Sequence, residues 1–257
     1  MTRTMLAILA AGIMSACGSG TTTCAIQASC GVGPSRTTLT VFAAASLQPA
    51  FDKIGDKLLS TQNIATTFSY AGTQTLTTQL TQGAPADVFA SADVAHMTTI
   101  QSAGLLHSQS VLFAHNRLEI AVAKGNPKGI HSLADLARSR LVVVLADPSV
   151  PAGKYAAQAL AKAGVAVHPA SLEQQVTGVL SKVALGEADA GIVYHSDIVT
   201  SAQVDGVTIP DSQNVIADYP IAVLQSAQNQ AGAVAFVDFV LSTEGQSILT
   251  SAGFQGV

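Results

Sequence analysis

Five positions along this chain set a hydroxyl, or the opening N–H groups of a helix, where one structural element gives way to the next. The first is Ser46, in the stretch Thr40–Leu47 (TVFAAASL). Thr40 to Ala43 reads as a short strand, and from Leu47 the apolar residues Leu47, Ala50, Phe51, Ile54 and Leu58 fall on one helical face. This makes Ser46 the expected N-cap of a helix. Thr73 repeats the arrangement in Ala71-Gly72-Thr73-Gln74, between a strand over Ile64–Tyr70 and a helix carrying Leu76 and Leu80. A third junction, Pro151-Ala152-Gly153, follows the continuous apolar run Leu141–Ala146. Val176 opens a further helix, and Tyr194 ends the strand Ala190–Tyr194. One such unit alone is ordinarily just a capped helix, but the recurrence points to a shared site. Ligands of open α/β sheets sit outside the carboxyl ends of the strands. Hydroxyls and free helix N–H groups gathered there attract an anion. With no carboxylate among these groups, the fitting anion is one that has lost all its protons. The O–H of a protonated phosphate would go unpaired, at a cost of roughly 1–3 kcal/mol.

Other chemistries lack their signatures. The 257 residues contain no G-x-S-x-G elbow, H-E-x-x-H pair, P-loop or G-x-G-x-x-G turn. The six histidines are scattered without metal-site spacing, so no side-chain metal centre and no cofactor is expected. Only His195, beside Tyr194, adjoins the junctions. A formal net charge of -4 with no run of like charges argues against a nucleic-acid partner. The expected class is a binding protein rather than an enzyme.

The elements that would hold these positions alternate strand and helix, which defines an α/β class with largely parallel sheets. Beyond those already named, a buried strand is expected after Gly83, with Asp93 capping a helix over Val94–Ala103. Two strands, Val111–Ala114 and Leu118–Ala123, are expected on either side of a break at His115-Asn116-Arg117. Ser132 and Asp135 form a capping box. Helices follow over Lys154–Ala163 and within Glu173–Leu185. Val207–Ile209 and Ile221–Leu224 read as later strands, and Ala231–Leu241 and Glu244–Ser251 as the last helices.

The N-terminal residues read as an export signal. Arg3 precedes the apolar segment Met5–Met14, which is too short to span a bilayer. Met14-Ser15-Ala16-Cys17-Gly18 follows and resembles a bacterial lipobox, in which Cys17 becomes the lipidated first residue. Ordinary cleavage near Ala16 is the alternative. Lipidation of Cys17 would account for the odd member of three cysteines. Cys24 and Cys30 then either close a small disulfide or stay as free thiols in the Gly/Ser/Thr-rich tether over residues 18–37.

TVFAAASL, GTQTL, GAPADVFASAD, DPSVPAGKYA and GIVYHSD, in that order, resemble the periplasmic molybdate-binding proteins of bacterial molybdate ABC transporters, from about Leu39 to Phe254. The resemblance implies a type II periplasmic-binding-protein fold of two α/β lobes joined by two crossover strands. Its boundaries here are 38–116 plus 219–257 for lobe 1 and 117–218 for lobe 2. It implies a ligand, molybdate or tungstate, held in the interlobe cleft by Ser46, Thr73, the N–H groups of Ala152 and Val176, and the Tyr194 hydroxyl. It also implies a monomer anchored outside the cell membrane that delivers the ion to an ABC permease, with sulfate or another tetrahedral oxyanion as the alternative ligand. Thr73 stands where the family usually has serine, adding a methyl that narrows the site. His195 stands where glycine is common, which implies a bulkier cleft edge.

Overall fold

Alternating apolar runs and helical stripes become nine strands and eight α-helices among the described residues, 37–257 of a computed structural model. The leader, Cys17, Cys24 and Cys30, and the tether up to residue 36 lie outside the described residues. Strand β1 (Thr37–Ala44) pairs in parallel with β2 (Ile64–Ala71) and with β3 (Val88–Ala90). Helices α1 (Gln48–Gln62), α2 (Thr73–Thr81) and α3 (Val94–Ser102) follow these three strands. Next come β4 (Val111–Ala123), β5 (Val143–Ala146), α4 (Pro151–Ala163), β6 (Ser171–Glu173), α5 (Val176–Ala184) and β7 (Ala190–Tyr194). The chain closes with α6 (His195–Thr200), β8 (Val204–Thr208), β9 (Ile216–Val223), α7 (Gln230–Leu241) and α8 (Thr243–Ser251).

The sheet order is β2-β1-β3-β9-β4-β7-β5-β6, with β8 also paired to β4. The expected parallel pairing holds at both ends, β2-β1-β3 and β7-β5-β6. Through the middle the sheet is mixed, because β9 and β4 pair antiparallel with each other and with their neighbours. Strand β4 serves both halves of the sheet. Its residues up to Arg117 pair with β9, and from Leu118 onward it pairs with β7 and β8.

This corrects the expected break at His115-Asn116-Arg117, which are strand residues. Each polar side chain there has a partner, so none forces the chain out to solvent. His115 Nδ1 meets Asp218 Oδ1 at 2.7 Å, Asn116 Nδ2 donates to Ser196 Oγ at 2.8 Å, and Arg117 pairs with Asp211 at 2.8 Å. Strand β9 likewise starts five residues before the expected Ile221 and runs through Pro220. Proline is tolerated because Leu112 opposes it at a bulge in β4, where the ladder skips to Ala114 opposite Tyr219.

Candidate functional site

The carboxyl ends of β1, β2, β3 and β7, with the loops after β5 and β6, converge on one small cavity. Ser46, Thr73, Ala152, Val176 and Tyr194, 148 residues apart from first to last, all line it. All five are buried. Ala45, Ala92 and Val150 are among the other lining residues, and no charged side chain lines it.

The backbone geometry of the junctions explains the donor supply. Thr73 and Val176 are the first residues of α2 and α5, and Ala152 is the second of α4. The first N–H groups of a helix have no partner inside it, so three helix starts turn such groups toward one space. Two glycines permit the approach. A Cβ on Gly72, the N-cap of α2, would come within 2.5 Å of the Gln174 carbonyl, and one on Gly153 would collide with the Ala146 and Asp147 carbonyls.

Ser46 departs from expectation. It sits inside a 3₁₀ turn, Ala45–Leu47, and the N-cap of α1 is Leu47, so Ser46 caps nothing. Its hydroxyl instead meets the Tyr219 hydroxyl at 3.0 Å. Tyr219 is fully buried in β9, and its ring packs edge-on against Tyr194, Phe113 and Phe254. The Thr73 Oγ1 accepts the Ala92 N–H at 3.2 Å, which leaves the threonine proton free to donate. The Tyr194 hydroxyl is buried with no hydrogen-bond partner. Tyr219 lies close enough to influence its ionisation without offering a well-aligned bond. Burial first, then the neighbouring Tyr219, Tyr155 and Asp197, push Tyr194 well above the usual phenol range, so it is a neutral donor.

Behind Tyr194, the buried Asp197 accepts the Tyr194 N–H at 2.9 Å, and burial pushes its carboxyl up to about 7. At the rim, Gln74 Nε2 donates to the Gln174 carbonyl at 2.8 Å, and Lys154 Nζ stands 3.7 Å from Asp93 Oδ2. Burial alone would raise Asp93. The hydrogen bonds from the His96 ring and N–H, with the charges of His96 and Lys154, outweigh it and hold the carboxyl below its usual value. The expected cap of α3 is this same Asp93, accepting the His96 N–H at 2.9 Å. His195 does not crowd the cavity: its ring turns to Glu119 at 3.0 Å. Among the described residues no group of His, Cys, Asp and Glu is arranged to hold a metal ion.

Sequence reasoning missed Tyr219 and the cavity walls at Ala45, Ala92 and Val150. Tyr219 lies ahead of Ile221, where the strand was expected to begin. Small residues in AAAS and FASAD carry the signal for the walls at Ala45 and Ala92, since a small side chain leaves space where helix starts pack together.

The pattern of the bacterial extracellular solute-binding proteins matches residues 39–255. The "Molybdate-binding protein ModA" of Mycobacterium tuberculosis is 44% identical over 252 residues, 96% of this chain and 94% of that protein. That of Escherichia coli is 33% identical, covering 84% and 88%. A "substrate binding domain of putative molybdenum ABC transporter from Clostridium difficile" superposes with a TM-score of 0.65 at 29% identity, covering 86% of this chain and 99% of that one. A "Sulfate-binding protein" from Synechococcus elongatus is more distant, at 24% identity. A chain matched over this length, with its strand ends gathered on a buried cavity of neutral donors, belongs to the bacterial extracellular solute-binding protein family.

Proposed function

We propose that this chain captures molybdate, and tungstate with it, in the cavity bounded by Ser46, Thr73, Ala152, Val176 and Tyr194, and hands the ion to an ABC permease. The observation that carries this reading is the buried, unpartnered Tyr194 hydroxyl in a cavity lined by hydroxyls and helix starts and by no charge. A dianion without protons satisfies such donors, and the 44% identity to a molybdate-binding protein supports molybdate over sulfate. Tungstate follows because its size and shape are nearly the same.

In this reading two lobes, 38–116 with 219–257 and 117–218, close over the ion, and the change of partners along β4 at Arg117 and Leu118 supports that boundary. Cys17 carries the lipid that holds the protein outside the membrane as a monomer. Among the described residues no helix is long and apolar enough to cross a membrane. Membrane fractionation of Cys17→Ala checks the anchor, which fails if the variant stays membrane-bound as firmly as wild type.

Calorimetry of the chain from residue 37 with molybdate, tungstate, sulfate and phosphate tests the function. Hydrogen bonds to a charged group contribute about 1.5–3 kcal/mol each, so Ser46→Ala or Tyr194→Phe should weaken molybdate roughly ten- to a hundred-fold. Sulfate binding as tight as molybdate binding would overturn the assignment.

A further inference from the structure

We infer that Tyr219, which does not line the cavity, is the positioning residue that makes Ser46 a donor: its phenol donates to Ser46 Oγ and so turns the serine proton toward the bound oxyanion. This rests on the cavity being the oxyanion site.

The argument begins with the single proton of a serine hydroxyl. Ser46 Oγ and Tyr219 Oη are 3.0 Å apart, and either could donate to the other. If Ser46 donated to Tyr219, it would present only lone pairs to the cavity, and lone pairs repel an anion. If Tyr219 donates, the serine oxygen accepts and its own proton is left for the ligand. A phenol is the stronger donor of the two, so the second arrangement is favoured before any ligand arrives. Burial holds the tyrosine neutral, which keeps that proton in place.

The surroundings fix the phenol in this task. Tyr194, Phe113 and Phe254 pack edge-on around its ring at 5.8, 6.2 and 5.3 Å, and of the polar groups near its oxygen, which include the Asn116 amide and the Tyr194 hydroxyl, Ser46 is the one that meets it in a hydrogen bond. The residue comes from β9, 173 positions along the chain from Ser46. The Ala92 N–H plays the same part for Thr73, filling an acceptor position on Oγ1 so that its proton faces the ligand. The Ser46 and Thr73 hydroxyls thus have their polarity set from behind, one by a side chain and one by the backbone.

A double-mutant cycle tests this, with molybdate, tungstate and sulfate as probes and calorimetry as the readout. In the wild-type background Tyr219→Phe keeps the ring and should weaken the tightest probe roughly two- to ten-fold, the range of one hydrogen bond between neutral groups. In the Ser46→Ala background the same substitution should cost nothing, since there is no serine proton left to aim. Melting temperatures without ligand accompany each variant. Equal losses in both backgrounds, or no loss in either, overturn the inference while leaving the oxyanion site standing. A Tyr219→Phe chain that cannot fold shows the hydroxyl to be structural and overturns it too. If the wild-type protein binds none of the three ions, the oxyanion reading itself falls and takes the inference with it.

Discussion

The Thr73 hydroxyl accepts the Ala92 N–H across 3.2 Å, tying the start of α2 to the loop after β3. The bond does two things at once: it closes the cavity wall and commits the threonine proton to the interior. Thr73→Val keeps the shape and removes the proton, so molybdate affinity should drop roughly ten- to a hundred-fold. Thr73→Ser keeps the proton and should stay within about three-fold of wild type. Calorimetry separates the two, and equal behaviour of both variants would rule out a donor role.

Gly72 offers a test in which binding and folding part company. Its φ of -58° is open to any residue, so alanine there does not strain the backbone. The added Cβ would press on the Gln174 carbonyl, which comes from the loop after β6, and on the Gln74 side-chain amide. Gly72→Ala should therefore weaken molybdate by ten-fold or more, roughly the 1–3 kcal/mol of an overpacked contact. The ligand-free melting temperature should change little. A large fall in that temperature would show the contact to be part of the ligand-free fold.

Asp197 gives a pH dependence with a definite sign. Its folded pKa of about 7 lies above the value near 3.9 of an exposed carboxyl. Between those values the folded protein keeps a proton that the unfolded chain has released. The residue's contribution to stability is therefore complete below about pH 4 and is lost as the pH rises through 7, a change on the order of 4 kcal/mol. Asp197→Asn removes the titration. Urea unfolding at pH 4, 6 and 8 should show the variant gaining on wild type as the pH rises, and a constant difference would refute it.

Lys154, in the first turn of α4, and Asp93, the N-cap of α3, face each other at 3.7 Å. Lys154 is nearly half exposed, so the pair is worth no more than about 1 kcal/mol. Lys154→Met should speed molybdate release roughly two- to five-fold in stopped-flow at low salt. The difference should shrink at about 1 M salt, where screening already weakens the pair. A salt-independent difference would assign the effect to packing.

How far the sequence revealed all this depends on how local each signal is. Ala190–Tyr194 is a strand with the expected ends, because a run of buried apolar residues between a helix end and a capping turn has one reading. Gly83, Gly104 and Gly164 take positive φ at helix ends, as a residue without Cβ permits. That Ser46, Thr73, Ala152, Val176 and Tyr194 share one cavity was legible because each belongs to a short junction motif. The Ser46–Tyr219 bond was not, because its partners are 173 residues apart and meet only once β9 crosses the sheet. The continuity of β4 through His115-Asn116-Arg117 was hidden for the same reason. The groups that satisfy those polar side chains, Asp218, Ser196 and Asp211, all lie far along the chain.

The uncharged lining of the cavity carries one last consequence, electrical rather than steric. Neutral donors spread an ion's charge without cancelling it, so a dianion inside leaves the whole receptor two unit charges more negative than before. Loaded and empty molecules should therefore separate on an anion-exchange column, with the loaded form eluting later.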